Sequence, residues 1–313
     1  MTLLNRLGIL PKKPVVVDSP VAHDFFFVRG HPRSGTNWVG ALLNLHPQIN
    51  CFGEFHFEDI RNSIDTLQNL PWQITAREPL KSVMDECFED LVKKSMLTLE
   101  SRKPSARWIG DRTPRGLRIF LDGAPYILII RDGRDVLVSW TYHVLRMRKH
   151  VVDVIVPAEN RAAFDVTYQK FTADNQHFFK YPHELLADEG WVRFVAGRWA
   201  NWMKVDKQAM ERVESTELDA RVMVLRYEDL HAQTEKHRRE MYEFLGLDPF
   251  EAAPISQESK TVAGFEKDDP ASFWRHGQVG DWKAYRHDSL STWFNEVAGD
   301  VLLDLKYEKD QNW

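Results

Sequence analysis

The stretch Phe25–Trp38, reading FFFVRGHPRSGTNW, constrains the fold more than any other part of the chain. Three phenylalanines and a valine in a row are bulky and β-prone, the pattern of a fully buried strand. The run breaks at Gly30 and Pro32. Ser34-Gly35-Thr36 then opens a segment of helical period that places Trp38, Val39, Leu42, Leu43 and Leu45 on one broad face. A strand, a Gly/Ser-rich turn and a helix N-terminus together make an anion-binding device, because free backbone N–H groups and the positive end of the helix dipole converge there. Gly30 and Gly35 have the spacing of the phosphate loop G-x-x-x-x-G-K-[ST], but Thr36 replaces its lysine and Asn37 its magnesium-binding hydroxyl. Glycine spacing alone would also suit an ordinary strand-to-helix turn. With Arg33 inside the turn to supply the missing cation, beside Ser34 and Thr36, the anion reading is preferred.

The same local logic recurs downstream. APYILII, ending at Ile130, is a continuous apolar run of the kind found in an interior parallel strand, and RDGRDVLVSWTYHV after it reads as a second turn and helix. ARVMVLRYEDL reads as a further buried strand, followed by a helix with Met241, Phe244 and Leu245 that Gly246 closes, with Pro249 just beyond. Alternating strands and helices predict an α/β fold: a P-loop-like three-layer architecture with a central, mostly parallel sheet flanked by helices and ligands at the carboxyl ends of the strands. Residues 1–22 read as an arm or surface strand (Pro14–Val17), and 62–103 as one or two amphipathic helices with an apolar stripe at Val83, Cys87 and Leu91. Residues 145–200 hold no strong strand and are aromatic and charged (Phe164, Tyr168, Phe171, Phe178, Phe179, Tyr181). They read either as a helical subdomain on the sheet or as a substrate lid. No linker justifies a cut, so 1–313 is expected to be one domain.

A chain of 313 residues can bury a large core. A formal charge of −5 gives no general electrostatic case for nucleic acid or membrane as partner. The 11 Trp and 18 Phe hint instead at stacking sites or a large pocket. Cys51 and Cys87 are too few for a disulfide framework and are expected to be reduced and buried. The N-terminal MTLLNRLGILPKKP lacks a signal-peptide core, and no stretch approaches the ~20 apolar residues of a membrane span, so a cytoplasmic location is expected. No histidine or cysteine grouping has metal-site spacing, and no metal is expected.

GHPRSGTNW resembles the 5′-phosphosulfate loop of the PAPS-dependent sulfotransferases, roughly G/Y-x-P-[KR]-S-G-T-x-W. The resemblance implies that Arg33, Ser34, Gly35, Thr36 and Asn37 hold the 5′-phosphosulfate of PAPS, with Trp38 near the adenine end. The second strand–turn–helix resembles the family's 3′-phosphate motif R-[ND]-P-x-D-x-x-x-S, with Arg131 ending the strand, Asp135 beginning the helix and Ser139 one turn in. Gly133 stands in place of its proline. A guanidinium at a strand end and a hydroxyl near the next helix start can bind one phosphate, the arginine bidentately. The rival reading takes ILIIRD as a Walker-B strand with Asp132 as magnesium ligand; Ser139 at the expected spacing favours the sulfotransferase pattern. Near the C-terminus, FWRHGQVGDW resembles F-x-R-K-G-x-x-G-D-W, which implies that Arg275, His276 and Gly277 close over the 3′-phosphate. His276 replaces a lysine, so charge there would depend on pH. Tyr227 matches an adenine-contacting tyrosine, or is a buried structural one. The matches run from residue 25 to 282 in the family's order.

Sulfuryl transfer, like phosphoryl transfer, rests on in-line positioning and on stabilising charge at oxygen, and it needs a cation at the bridging oxygen and a base for the acceptor. Arg33 is the candidate cation. The histidine-base cytosolic branch has its base in a segment whose nearest equivalent here, Asp111-Arg112-Thr113-Pro114, carries proline at that position. The carbohydrate, tyrosyl-protein and several bacterial branches use a glutamate soon after the first helix, and Glu54 in CFGEFHF fits that pattern. Its aromatic neighbours are expected to raise its pKa toward a useful range. His56, on the same face if the segment is extended, is the alternative base, and Arg112 a second cation for the sulfate. The expected reaction is transfer of the PAPS sulfuryl group to a hydroxyl or amine, the acceptor being a small molecule, with release of 3′,5′-ADP. A magnesium-dependent kinase built on Asp132 or Asp135, and a non-catalytic nucleotide-binding scaffold, are the alternatives.

Overall fold

The computed structural model describes residues 22–264, 269–272 and 277–313. The arm read at Pro14–Val17, and Arg275 and His276 of the third motif, lie outside those residues.

The elements follow in order as β1 (Asp24–Arg29), α1 (Thr36–Leu43), β2 (Ile49–Gly53), α2 (Phe57–Gln68), α3 (Leu80–Leu97), β3 (Trp108–Asp111), β4 (Pro125–Ile130) and α4 (Gly133–Leu145). They continue with α5 (Lys149–Ile155), α6 (Arg161–Ala173), α7 (His177–Lys180), α8 (Glu189–Glu214), β5 (Arg221–Arg226), α9 (Tyr227–Ala232), α10 (Thr234–Phe244) and α11 (Asp288–Asp304). The strands form one sheet in the order β2-β3-β1-β4-β5, and every pairing is parallel. The fold is therefore α/β with a parallel sheet between helical layers, as expected.

The apolar runs explain the layers. In β1, Phe27 joins the core cluster containing Tyr126, Leu128 and the α4 and α8 residues, while Phe26 and Val28 join the opposite cluster with Trp38, Leu42, Ile127 and Ile129. Alternation along the strand sends neighbours to opposite faces, so a continuous apolar run is what a sheet covered on both sides requires. β1 lies at the centre with β3 on one side and β4 on the other, which makes the β1–β4 boundary the switch point where parallel sheets open a crevice at their carboxyl ends.

Several expectations need correction. β5 is an edge strand with only Leu225 fully buried, so the run at 221–226 is not covered on both faces. On α3 the buried residues are Phe88, Val92 and Met96, whereas Val83, Cys87 and Leu91 face solvent. The true stripe lies one residue further along, where an aromatic and a β-branched residue outcompete the smaller Cys87. Cys51 is buried and Cys87 is exposed. α4 begins at Gly133, two residues before Asp135, because the Asp132 side chain accepts from Arg134 N–H and caps it.

Within 145–200, Phe164, Phe171, Phe178 and Trp191 pack into the core against α4. α8 then runs on to Glu214 and ties itself to the segment after β3 through Asp206, which accepts from Leu117 N–H. Burial drives the Asp206 carboxyl up from 3.8 to about 7, the Leu117 bond opposing only part of the rise. Between those values the folded chain keeps a proton that the unfolded chain has released. Stability therefore falls as pH rises from about 4 to 7, by on the order of 4 kcal/mol. In Asp206→Asn that component of the fall is expected to vanish, which a series of Tm measurements from pH 4 to 8 would register.

Candidate active site

The turn after β1 is held open by backbone that only certain residues tolerate. Arg33 has φ 76° and Gly35 φ 103°, both in the left-handed region. A side-chain carbon at Gly35 would lie 2.8 Å from the Tyr227 ring, so glycine is required there for space as well as for φ. The first N–H groups of α1 have no intrahelical partner and face the turn. Ser34 is completely buried, and its Oγ has no hydrogen-bond partner among the described residues. A buried hydroxyl without a partner is costly and has hydrogen-bonding capacity to spare.

The turn after β4 meets the turn after β1. Arg33 Nε donates to Ser139 Oγ at 3.1 Å, and Arg131 Nη1 donates to the Arg33 carbonyl at 3.1 Å. Arg131 is nearly buried, lies 4.1 Å over the Tyr227 ring and donates through Nη2 to Gln278 O. Its Nε has no partner among the described residues. Tyr227 donates to Gly277 O at 2.7 Å and stands 5.5 Å from Trp38, whose indole N–H donates to Thr261 O. Gly280 N–H and Trp282 N–H both donate to Asp135, which fastens the C-terminal segment to the second turn. Contacts thus join Arg33, Gly35, Trp38, Arg131, Ser139, Tyr227 and Gly277 across the two turns and the C-terminal segment, with Ser34 and Thr36 in the first turn beside them. Tyr227 is a buried, packed tyrosine at the middle of these contacts.

Asp132 and Asp135, the carboxylates of the kinase alternative, are occupied. Asp132 pairs with Arg134 at 2.7 Å, and Asp135 takes the two backbone N–H groups and lies 3.8 Å from Arg131. Among the described residues no group of three or more His, Cys, Asp or Glu could hold a metal ion.

Glu54 directly follows β2. Its carboxylate is 3.4 Å from His56 Nε2 and 3.9 Å from Arg112 Nη1, and Arg112 Nη1 also donates to Asn37 Oδ1 at the start of α1. Arg112 therefore bridges the loop to Glu54. The aromatic enclosure expected for Glu54 is not present: its side chain is 41% exposed, and Phe52 turns outward. Nor is the segment extended. His56 has φ 54° and caps α2, yet its ring still reaches the Glu54 carboxylate. Below it, Asp111 anchors the turn. Asp111 accepts from Phe55 N–H and Thr113 Oγ1 and pairs with the fully buried Arg29 at 2.8 Å, and Thr113 Oγ1 accepts from His56 N–H. The local sequence gives no sign of this support, because Arg29 and Asp111 meet only through strand pairing.

Three residues near Arg33 carry chemistry that sequence reasoning passed over. His31, inside the loop motif, is buried with its ring 4.6 Å from Trp202. Burial pushes it down to about 4, the hydrogen bond to Pro32 O opposing and Arg198 adding to the fall. His143 on α4, 5.4 Å from Trp140, is likewise pushed to about 4, by burial and then by Arg33 and Arg146. Arg198 on α8 lies over both Trp140 and Trp202. His31 could have been singled out from the loop motif itself; Arg198 and Trp202 belong to no motif.

Residues 23–306 match the family described as the sulfotransferase domain, and the chain belongs to that family. It is 21% identical over 295 residues to the protein-tyrosine sulfotransferase of Drosophila melanogaster, covering 89% of this chain and 48% of that one. The chain thus spans about half the length of this curated relative. Among solved structures, the mouse sulfotransferase SULT7A1 complexed with PAP is 19% identical with a TM-score of 0.44, covering 91% of this chain and 87% of its own. The sulfotransferase domain from the curacin biosynthetic pathway is 13% identical with a TM-score of 0.42, covering 92% and 99%. Among the described residues, no helix is long and apolar enough to cross a membrane.

Proposed function

We propose that this chain, acting as a single domain, transfers the sulfuryl group of PAPS to a hydroxyl or amine of a small acceptor and releases 3′,5′-ADP. The observation that carries the reading is the meeting of the two turns, where Arg33 of the first donates to Ser139 of the second and Arg131 of the second donates to the first. The residues suit a doubly phosphorylated adenosine. Ser34 Oγ and Arg131 Nε are buried with unused hydrogen-bonding capacity, and Gly35 leaves backbone N–H groups open beside Tyr227. Ser34 to Asn37 and Arg33 would hold the 5′ end, Arg131 and Ser139 the 3′-phosphate, with Trp38 and Tyr227 beside the base; Gly277 belongs to the segment closing over Arg131.

When bound, PAPS supplies an activated sulfuryl group whose transfer leaves an anionic phosphate. Arg33 stabilises negative charge on the oxygen that leaves. Glu54 accepts the proton of the acceptor, as its place at the end of β2 and its contact with Arg112 allow. His56, 3.4 Å away, either holds the Glu54 carboxylate in place or takes over as base. Arg112, between Glu54 and Asn37, adds positive charge where the transferred group passes.

The test is incubation of the purified chain with isotopically labelled PAPS and a library of hydroxyl and amine acceptors, in the presence of EDTA. Label is expected to move to at least one acceptor; labelled transfer from ATP-magnesium instead would establish the kinase alternative. Gly35→Ala is expected to weaken 3′,5′-ADP binding at least tenfold, about 1.4 kcal/mol, because the methyl displaces Tyr227 and φ 103° disfavours alanine. Calorimetric titration of the variant checks this.

A further inference from the structure

Beside the arginine loop lies a guanidinium with no counter-charge. Arg198 on α8 is half-buried and sits 5.0 Å over the Trp140 ring and 5.5 Å over the Trp202 ring. No carboxylate pairs with it among the described residues, and the neighbouring charge it feels is another cation, Arg115. Arg115 itself is partly exposed and only 3.9 Å from the outward-facing Asp59. The Trp140 indole N–H is buried, also without a partner among the described residues. Trp140 follows Ser139, which accepts from Arg33, and Trp202 is backed by His31 of the loop.

An arginine desolvated without an anion is unfavourable, and two indole faces recover only part of that cost. A fold that only needed packing here could use an uncharged residue of similar length at less expense. A guanidinium and an indole N–H set next to each other, with no acceptor paired to either among the described residues, suit an anion. In the proposed function the arginine loop and Arg131 already account for the donor nucleotide.

We infer that Arg198, with the Trp140 N–H, receives an anionic group of the acceptor, a carboxylate or a phosphate, so that the natural acceptor is a negatively charged molecule carrying the hydroxyl or amine to be sulfated. Trp202 and His31 act as positioning residues that hold the guanidinium over the loop. The inference rests on the proposed sulfuryl transfer only in naming the ligand an acceptor.

The test uses the full chain saturated with 3′,5′-ADP, so that small anions cannot occupy the two phosphate positions of the nucleotide, and titrates three phenols by calorimetry: 4-hydroxyphenylacetate, 4-ethylphenol and tyramine. The anionic phenol is expected to bind at least tenfold more tightly than the other two. In Arg198→Met this preference is expected to disappear, while affinity for 3′,5′-ADP stays within about twofold and Tm is unchanged or higher, since a half-buried charge with no paired carboxylate among the described residues has been removed. Arg198→Lys should retain part of the preference. Equal binding of the three phenols, preference for tyramine, no binding of any, or a preference that survives in Arg198→Met would each overturn the inference. Failure of the wild-type chain to bind 3′,5′-ADP at all would instead overturn the proposed function.

Discussion

Replacing Glu54 by glutamine is expected to lower kcat by about 10²- to 10⁴-fold, the usual contribution of a positioned proton acceptor. Glutamine keeps the shape and the contact with Arg112 but cannot take a proton. Glu54 touches the donor loop only through Arg112 and Asn37, so affinity for 3′,5′-ADP should change by less than about twofold. Turnover and titration on the same preparation separate the two effects. The partner variant His56→Ala tells positioning from proton transfer: if histidine only steadies the carboxylate, its loss should cost far less than that of Glu54. Full activity in Glu54→Gln would move the base to His56, whose ring lies 3.4 Å away.

Arg131→Ala is expected to raise the Kd for 3′,5′-ADP by about 100-fold or more, roughly 2.7 kcal/mol, because a charged bidentate contact is lost. The same change removes the bonds to Arg33 O and Gln278 O and the stack on Tyr227, so the two turns and the C-terminal segment lose their common fastening. Arg131→Lys restores charge but not the planar fork, and should recover only part of the affinity. An unchanged Kd in Arg131→Ala would mean that the second turn does not face the nucleotide.

The sheet and its two strand–turn–helix corners were legible because each is written locally. FFFV and YILII are continuous apolar runs, and the residues that break them are the glycine, proline and arginine the turns need. Burial periodicity was less legible wherever competing apolar residues were similar. On α3 the stripe at Val83, Cys87 and Leu91 looked as regular as the true one, and only packing of Phe88 against Phe120 decides between them. The edge position of β5 could not be read from its composition, since strand order depends on pairings far apart in sequence. The same holds for the Arg29–Asp111 support beneath Glu54 and for the Arg198–Trp140–Trp202 group. Arg29 and Asp111 come from strands about eighty residues apart, Trp140 lies far in sequence from the Arg198 and Trp202 pair of α8, and no motif joins them. Glu54 was singled out by its place after the first helix, while its surroundings, polar and partly open, differ from the aromatic shell that its neighbours in sequence suggested.

In the proposed function Arg33 and Arg131 grip opposite ends of one nucleotide, and a paired calorimetric titration of 3′,5′-ADP and 5′-AMP into the wild-type chain tests this most directly. The two ligands differ only in the 3′-phosphate that Arg131 and Ser139 are placed to hold. A preference for 3′,5′-ADP of about 100-fold or more is expected from that charged contact. Equal affinities, or no binding of either, would contradict it.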